Sequence, residues 1–270
     1  MIATVAVLAL LAVFILLIWL GQERILFQPP RGYEQPPLFG RVDYRARDGQ
    51  NLIGYLVGDP ATSRGVLVCF HGNADLAMWQ LDWAARVREH SDYAVFLAEY
   101  RGYMGLRGTP TYASTSLDSQ AATEYVEAVH GHVRFAYFGH SLGSAIATEL
   151  AEVRPPHALL LQSPFISARA MARLIVTPPV QKVWSRVSRI HFDTKKSVAS
   201  LNVPVSVAHG TADRLVPVKM GLEVYEAARE KGELLIVPGA GHNNVAEVGG
   251  DDYWKWIKAA LSTGSKRASN

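Results

Sequence analysis

The sequence predicts a mixed α/β fold in which a mostly parallel central sheet is covered by helices on both faces. Apolar runs rich in β-branched residues recur along the chain, at Val66–Phe70, Tyr93–Ala98, Val133–Phe138, Ala158–Leu161, Val203–Ala208 and Leu234–Val237. Stretches with apolar residues at helical spacing separate these runs. Strands that are apolar on both faces and alternate with helices occur in parallel sheets buried on both sides, and this order therefore predicts the fold class.

The composition is that of a globular protein. The chain has 270 residues with a net charge of +3, and 10% of its residues are aromatic. That aromatic content excludes a disordered chain, and the small net charge gives no indication of nucleic-acid binding. The single cysteine, Cys69, excludes an intramolecular disulfide and a multi-cysteine zinc site. We therefore expect no metal site and no cofactor.

The N-terminal residues 1–21 have the composition of a transmembrane helix. Within residues 2–20 the only polar side chain is Thr4, and as a helix this run is about 28 Å long, close to the thickness of the bilayer core. A cleaved signal peptide is an alternative, but no basic residue precedes Arg24. A buried core helix is a second alternative, which an all-round apolar helix at the end of a small domain does not favour. We expect an anchor that contacts the lipid bilayer through residues 2–20.

The sequence after this helix predicts the orientation and the connection to the main domain. The flanking arginines all follow the helix, at Arg24, Arg31, Arg41, Arg45 and Arg47. The positive-inside bias then favours a single-pass protein whose main domain is cytoplasmic. Residues 22–38 are predicted to be a proline-rich tether, because the prolines within 28–37 exclude a helix. The folded domain is expected over residues 39–262, and residues 263–270 are expected to be a flexible tail.

An antiparallel hairpin is predicted to lead into the sheet. Polar and apolar residues alternate over 42–46, Asp48-Gly49 is a turn sequence, and Leu52–Val57 is a second strand. From the spacing of apolar residues, helices are predicted at Asp75–His90, Thr115–Val129, Leu142–Val153, Val218–Glu230 and Tyr253–Leu261.

The run Gly139-His140-Ser141-Leu142-Gly143 follows a predicted strand and precedes a predicted helix. It matches G-x-S-x-G in the strand–turn–helix context of a nucleophile elbow, in which the serine hydroxyl is exposed above the sheet. The alternative is a plain Gly-Ser turn, which a chain with 22 glycines can contain by chance. The context favours Ser141 as a nucleophile.

A serine nucleophile needs a base, since its hydroxyl is hardly ionised near neutral pH. In nucleophile-elbow sites the order along the chain is serine, acid, histidine. Asp213 follows the strand Val203–Ala208, and His242 is the only histidine after Asp213. We therefore expect Asp213 to orient the imidazole of His242, and His242 to take the proton of Ser141. Weaker candidates for the acid are Asp193, Glu149 and Glu152.

The oxyanion of a tetrahedral intermediate needs two positioned donors. One is predicted to be the backbone N–H of Leu142, which follows the nucleophile. The other is expected from the loop after Val66–Phe70, where Gly72 permits a close turn and the N–H of Asn73 would point at the oxyanion. His71 is expected to form a hydrogen bond within this loop rather than to bind a metal.

Several further motifs accompany this constellation. They are His71-Gly72-Asn73-Ala74, Glu99-Tyr100-Arg101-Gly102-Tyr103, Gly108-Thr109-Pro110-Thr111, Ser163-Pro164-Phe165, His209-Gly210-Thr211-Ala212-Asp213 with Val216-Pro217, and Gly241-His242. In this combination the sequence resembles the membrane-anchored serine hydrolases of the α/β-hydrolase superfamily, a group that includes bacterial and fungal homologues and the depalmitoylating enzymes of animals. The resemblance covers residues 24–262 and implies the α/β-hydrolase fold and a serine-acid-histidine triad.

Two departures from the family pattern bear on the substrate. The family usually has a glycine soon after the segment that ends at Tyr103, where this chain has Met104 before Gly105. The animal depalmitoylases carry an N-terminal cluster of palmitoylated cysteines, which this chain replaces with a hydrophobic helix. Protein depalmitoylation is therefore not carried over to this chain.

Residues 165–200 are predicted to form a short cap over the site, because they lie between two strands where this fold commonly has an insertion. The segment is strongly basic, with Arg169, Arg173, Lys182, Arg186, Arg189, Lys195 and Lys196 against the single acid Asp193. One interpretation is a cap whose apolar face packs on the core and whose charges are solvated. The other is a cap that rests on an anionic membrane surface.

These features together predict a membrane-anchored serine hydrolase. Its expected reaction is the cleavage of carboxylic ester or thioester bonds of lipid-like acyl substrates, as in an esterase, a thioesterase or a lysophospholipase. The alternatives are a serine peptidase on the same triad and a non-catalytic membrane scaffold that retains the fold. The sequence makes no prediction about the oligomeric state.

Overall fold

A computed structural model describes the protein from residue 2 to residue 263, without the side chains of residues 2–5, 7, 8 and 11. Nearly all of the tail predicted at residues 263–270 lies outside the described residues. The strands are β1 (Arg41–Arg45), β2 (Asn51–Val57), β3 (Gly65–Phe70), β4 (Tyr93–Ala98), β5 (Phe135–His140), β6 (Ala158–Gln162), β7 (Pro204–Gly210) and β8 (Glu230–Val237). The helices are α1 (Ile2–Leu26), α2 (Leu81–His90), α3 (Tyr112–His130), α4 (Leu142–Val153), α5 (Ala168–Ile175), α6 (Pro178–Val187), α7 (Thr194–Ser200), α8 (Val218–Ala227) and α9 (Val245–Thr263), with a short 3-10 helix at Ala77–Gln80.

The strands form one sheet in the order β1-β2-β4-β3-β5-β6-β7-β8. β2 is antiparallel to both of its neighbours, and all the other pairs are parallel. The predicted mostly parallel sheet with a leading hairpin is therefore confirmed. The hairpin turns at Gly49, which has a φ of +85°, a conformation that glycine adopts at little cost.

Helices cover both faces of the sheet. α9 packs against β6, β7 and β8 and contacts α2, while α4 packs against β3, β5 and β6 and contacts α3 and α7. Every residue of β3 and β4 is buried as a result, which explains why these strands are continuous apolar runs. The single cysteine, Cys69, lies in β3, and burial raises the pKa of its thiol well above the ordinary value.

Some helix boundaries differ from the prediction. α4 and β4 have the predicted limits, but α8 ends at Ala227 and Glu230 already belongs to β8. Glu230 pairs with Pro204 and Lys231 pairs with Val205 on β7. Tertiary strand pairing therefore overrides the helical pattern of the residues after Ala227.

The segment predicted as a cap, residues 165–200, forms three helices with different environments. α7 buries Thr194 and Val198 and packs between α4 and α8, so it belongs to the layer that covers the sheet. α5 contacts α6, and α6 contacts α1. Throughout α6 every side chain is at least partly exposed. The outer part of the insertion is thus α5 and α6.

The N-terminal helix α1 continues to Leu26, into the segment predicted to be a tether. It ends before Pro29 and Pro30, as expected because the residue before a proline disfavours helical backbone. Among residues 2–263, no helix meets the combined length and apolarity that a membrane crossing requires. The transmembrane span predicted at residues 1–21 is not supported by this result.

Candidate active site

The predicted site residues lie in loops at one edge of the sheet. β3, β5, β7 and β8 are parallel, so their carboxyl ends meet at the same edge, where ligands bind in open α/β sheets. The residues that directly follow these strand ends include Asn73, Ser141, Asp213 and His242.

Ser141 lies on a strained turn between β5 and α4. Its φ is +52° and its ψ is −115°, a conformation that costs a non-glycine residue of order 1–3 kcal/mol and is typical of functional sites. Two glycines allow this geometry. A Cβ atom on Gly143 would overlap the carbonyl oxygen of Phe70, and a Cβ atom on Gly139 would overlap the carbonyl of Gly143. The glycines of the G-x-S-x-G pattern thus let α4 start directly against β3.

The structure brings Asp213 and His242 into direct contact. His242 Nδ1 donates a hydrogen bond of 2.7 Å to Asp213 Oδ2, which leaves Nε2 of the imidazole as the acceptor nitrogen. Asp213 Oδ1 accepts from the backbone N–H groups of Leu215 and Val216, at 2.9 and 2.8 Å. Burial alone raises the pKa of Asp213, but hydrogen bonds from His209, from His242 and from the Val216 N–H outweigh it, and the pKa falls well below the ordinary value. Asp213 is therefore an ionised carboxylate.

A second histidine, His209, also contacts Asp213. Its Nε2 lies 3.2 Å from Asp213 Oδ2 and 2.9 Å from the carbonyl oxygen of Val216. His209 is fully buried, and its Nδ1 has no hydrogen-bond partner among the described residues. Sequence reasoning did not single out this role, although the spacing of His209 and Asp213 within one motif could have indicated it.

The backbone of His242 is held next to the nucleophile turn. Its carbonyl oxygen accepts from His140 Nε2 at 3.1 Å and from Ser163 Oγ at 3.4 Å. The rings of His140 and His242 are 5.1 Å apart, and His140 directly precedes Ser141. Burial, together with the neighbouring His242, lowers the pKa of His140 to about 3. His140 is therefore a neutral donor that positions the loop of His242, a role that the sequence did not indicate.

The loop after β3 lies against the nucleophile. An ideal Cβ atom on Gly72 would be 3.5 Å from Ser141 Cβ, so Gly72 borders the serine directly. Leu142, the other predicted oxyanion donor, is the first residue of α4, where helix N–H groups have no partner within the helix. Leu142 therefore follows Ser141 directly, and Asn73 follows the glycine that lies against it. Their role as donors stays a prediction.

His71 fixes the base of this loop through a buried ion pair. His71 Nε2 donates to Glu99 Oε1 at 2.7 Å, and Nδ1 donates to the carbonyl oxygen of Gly72 at 2.8 Å. Since both ring nitrogens face oxygen acceptors, the ring is a protonated imidazolium. Burial by itself lowers the pKa of His71, but the Glu99 carboxylate outweighs burial and the pKa is raised. The expectation of a hydrogen bond within the loop agrees with this geometry.

The weaker candidates for the acid lie elsewhere. Glu149 on α4 accepts a hydrogen bond of 2.8 Å from the hydroxyl of Tyr112, and burial raises its pKa to about 7. Asp193 caps α7 by accepting from the N–H of Lys196. Within residues 2–263, no group of three or more His, Cys, Asp or Glu side chains is arranged to hold a metal ion.

A cavity of about 890 Å³ opens beside the site rather than over Ser141. Its walls come from residues 23–33 and from the loop of Gly102, Gly105, Thr109 and Pro110. Gln28 lines the cavity and also donates its backbone N–H to Asn73 Oδ1 at 2.8 Å. The cavity therefore adjoins the loop after β3.

Comparison with known proteins identifies one matching family and several relatives. Residues 61–195 match the family model described as serine aminopeptidase, S33. An uncharacterized protein of Mycobacterium tuberculosis is 34% identical over 255 residues, which cover 89% of this chain and 87% of the relative. The α/β-hydrolase domain-containing protein aho-3 of Caenorhabditis elegans is 29% identical, with 74% of this chain and 59% of that protein covered. Protein bem46 of Schizosaccharomyces pombe is 28% identical, with 66% and 62% covered.

Solved structures agree on the fold. An esterase of Pyrococcus furiosus superposes with a TM-score of 0.67 at 21% identity, covering 89% of this chain and 98% of that one. An esterase of a Rhodococcus species gives a TM-score of 0.60 at 17% identity, with 82% and 100% covered. The α/β-hydrolase fold predicted from the motifs is thereby confirmed. By its family match and by its relative at 34% identity, this chain belongs to the α/β-hydrolases, in the family described as serine aminopeptidase, S33.

Proposed function

We propose that this hydrolase uses a serine nucleophile to cleave carboxylic ester or thioester bonds of lipid-like acyl substrates through an acyl-enzyme. The observation that carries the proposal is the 2.7 Å hydrogen bond from His242 Nδ1 to Asp213 Oδ2 beside the strained turn of Ser141. This bond leaves Nε2 of His242 to accept the proton of the serine hydroxyl. The catalytic residues are Ser141, Asp213 and His242.

In the acylation step, Ser141 Oγ attacks the acyl carbonyl carbon while its proton moves to Nε2 of His242. The carbonyl oxygen becomes an oxyanion that accepts hydrogen bonds from the N–H groups of Leu142 and Asn73. When the carbonyl re-forms, the C–O or C–S bond to the leaving group breaks, and the leaving atom takes the proton from His242. The Asp213 carboxylate stabilises the imidazolium that exists between these two proton transfers.

Deacylation uses the same groups with water as the nucleophile. His242 removes a proton from water as the water oxygen attacks the acyl carbon, and the oxyanion again forms next to Leu142 and Asn73. Collapse releases the carboxylic acid and returns the proton to Ser141 Oγ. Each step is balanced by residues of this chain and water, so the cycle needs no further reactant.

Exposed apolar surface supports lipid-like substrates. In α1 most of the large apolar side chains at the described positions are exposed, with Leu10 71% exposed and Leu17 62% exposed. Leu174 and Ile175 of α5 are 54% and 69% exposed. Exposed apolar patches of this kind mark sites of membrane or protein contact. We therefore propose that α1 contacts the lipid bilayer, while the membrane side of the catalytic domain stays a prediction.

Labelling with a fluorophosphonate probe tests the activated serine. Wild-type protein should be labelled, and Ser141→Ala should remove all labelling because the nucleophilic oxygen is gone. His242→Ala should slow labelling by about 10³-fold or more because the base is gone. Ser262→Ala is the matched control, since Ser262 Oγ donates to the carbonyl of Lys258 within α9 at a partly exposed position. A folded wild-type protein that is never labelled would favour the non-catalytic scaffold instead.

A substrate panel then separates the reaction classes. Nitrophenyl esters of increasing acyl length and acyl thioesters should be hydrolysed, with kcat/KM rising with acyl length. The family description as serine aminopeptidase favours one second candidate, a peptidase on the same triad. Aminoacyl nitroanilides test that candidate directly. A higher kcat/KM for the anilides than for every ester would replace the proposed reaction with peptide hydrolysis.

Vesicle binding tests the lipid contact. Variants of the basic residues in α6 test whether this contact depends on charge. The double variant Lys182→Gln and Arg186→Gln removes two exposed charges from α6, next to α1. The control Lys231→Gln and Lys255→Gln removes the same charge from residues that pair with Glu226 and Asp252 away from the cap. Binding to anionic vesicles should fall with salt and fall further in the α6 variant. Vesicle binding that is the same at all salt concentrations and in both double variants would contradict a charged contact.

A further inference from the structure

The end of the N-terminal helix is bound to the loop after β3 through the side chain of Asn73. Asn73 Nδ2 donates to the carbonyl oxygen of Leu26 at 2.5 Å. Asn73 Oδ1 accepts from the backbone N–H of Gln28 at 2.8 Å and from the hydroxyl of Tyr103 at 2.9 Å. Because a carbonyl can only accept and a backbone N–H can only donate, these partners fix the orientation of the amide.

These bonds complete the C-terminal end of α1. The last carbonyl groups of a helix have no partner within the helix and must find one outside it. The carbonyl oxygens of Arg24 and Ile25 accept from Gln28 Nε2, at 2.5 and 3.1 Å, and that of Leu26 accepts from Asn73. Phe27, between the two backbone partners of Asn73, is 3% exposed and belongs to the core. The backbone partners of Asn73 therefore flank a residue that is packed in the core.

The other end of this connection is the loop that borders Ser141. Asn73 stands between Gly72, which lies against Ser141, and Ala74, which has a φ of +53°. A non-glycine residue with positive φ persists only where its surroundings over-determine the backbone. His71 fixes the loop before Gly72, and the three hydrogen bonds of the Asn73 amide fix it before Ala74.

We propose that the Asn73 side chain is a positioning residue that aims its own backbone N–H at the oxyanion by binding the end of α1. This inference rests on the proposed function and extends it, since it makes residues 26–28 part of the support of the active site. A preorganised donor is effective only if its direction is fixed before the reaction. Asparagine suits this position because its amide donates to Leu26 and accepts from Gln28 at the same time. Aspartate could accept but not donate, and its charge would oppose the oxyanion.

Steady-state kinetics of full-length variants test this inference. In Asn73→Ala we expect kcat to fall about 10–100-fold, somewhat less than the loss of an oxyanion donor itself. KM should change less than about two-fold, because ground-state binding does not use the oxyanion. The affinity for a trifluoromethyl ketone inhibitor, which forms an oxyanion on Ser141, should fall in proportion to kcat/KM. Asn51→Ala is the matched control, since Asn51 contacts Arg45 at the exposed start of β2.

Tyr103→Phe keeps the test decisive if Asn73→Ala does not fold. It removes one of the three hydrogen bonds to Asn73, and we expect a three- to ten-fold loss of kcat with a melting temperature lowered by only about 2–4 °C. The inference is overturned if kcat in these variants stays within two-fold of wild type. It is also overturned if the loss appears in KM and leaves the inhibitor affinity unchanged. A wild-type protein that hydrolyses no ester would instead refute the proposed function.

Discussion

The loops at the carboxyl edge of the sheet bury polar side chains, whereas the face formed by α1, α5 and α6 exposes apolar ones. At the edge, buried polar groups pair with one another: Asp213 accepts from two histidines and two backbone N–H groups. On the other face, large apolar groups such as Ile175 are exposed. Arg189 holds this face together by pairing with Glu23 at 3.0 Å and lying 4.3 Å over the ring of Trp19. Under the proposed function, the first region would hold reacting atoms in place, and the second would offer a surface to the lipid bilayer.

The largest effect is expected from Asp213→Asn at the sheet edge. An amide in place of the carboxylate can stabilise the wrong tautomer of His242, and in serine hydrolases this change lowers kcat by about 10⁴-fold. Asp193→Asn is the matched control on the cap side, because asparagine caps a helix as well as aspartate does. Ester hydrolysis by the two purified variants measures the contrast. An Asp213→Asn enzyme that keeps a tenth of the wild-type kcat would show that Asp213 is not the acid.

Glu99→Gln should cause the next largest effect, on stability. Breaking a buried ion pair by removing one charge typically costs about 3–5 kcal/mol. The pKa of His71 is raised in the folded protein, so the pair stabilises the fold fully below the ordinary histidine pKa of about 6.5. That contribution is lost as the pH rises through the raised pKa.

Thermal unfolding between pH 6 and pH 9 checks the sign of this dependence. The melting temperature of the wild type should fall with rising pH, and Glu99→Gln should be lower at pH 6 and depend less on pH. Glu226→Gln, which removes an exposed ion pair with Lys231, should match the wild type. Equal pH dependence in wild type and Glu99→Gln would mean that the His71–Glu99 pair does not carry the effect.

The same glycine-to-alanine change should have opposite signs in the two regions. Gly143→Ala forces a Cβ atom into the carbonyl of Phe70, and such overpacking costs about 1–3 kcal/mol. Gly21→Ala adds a Cβ atom that meets nothing within 4 Å in α1, and alanine favours a helix over glycine by about 0.5–1 kcal/mol. Chemical unfolding of both variants measures these changes. A Gly143→Ala variant as stable as wild type would contradict the close contact of α4 with β3.

Met104→Gly is expected to have the smallest effect. Met104 has a φ of +48° and is 5% exposed, at the place where the family usually has glycine. Glycine would relieve about 1–2 kcal/mol of left-handed strain but would lose the burial of a methionine, worth about 1.5–3 kcal/mol. We expect a net loss near 1 kcal/mol in the free energy of unfolding. A gain in stability would mean that the strain outweighs the packing.

Features that depend on local order along the chain could be predicted from the sequence. Ser141, Asp213 and His242 could be singled out because each lies in a short segment after a predicted strand, and because the expected order of serine, acid and histidine leaves a single histidine after Asp213. Their catalytic roles stay a prediction. The limits of α4 and β4 were predictable because the pattern of each also lies within a short segment. The packing partners of α4 and β4 were not predictable. The strand conformation of Glu230, at the start of β8, was not predictable either, because it depends on pairing with β7.

The supports of the site depend on contacts between distant segments, which one sequence does not indicate. His140 and Ser163 hold the carbonyl of His242 from two other loops. Asn73 could be predicted as a backbone donor from its loop, but its side chain binds residues that the prolines led us to treat as a tether. The ends of α1 and the roles of these side chains follow from tertiary packing alone.

Because Cys69 is buried in β3, its reaction with an alkylating reagent would report the local opening of this strand. A thiol whose pKa is raised by burial is inert to alkylating reagents while β3 stays in the sheet. Since it is the single cysteine of the chain, every labelling event would come from one strand, without engineered probes. β3 leads directly into His71 and Asn73. The alkylation rate would therefore measure how often β3, which supports the proposed oxyanion loop, opens locally.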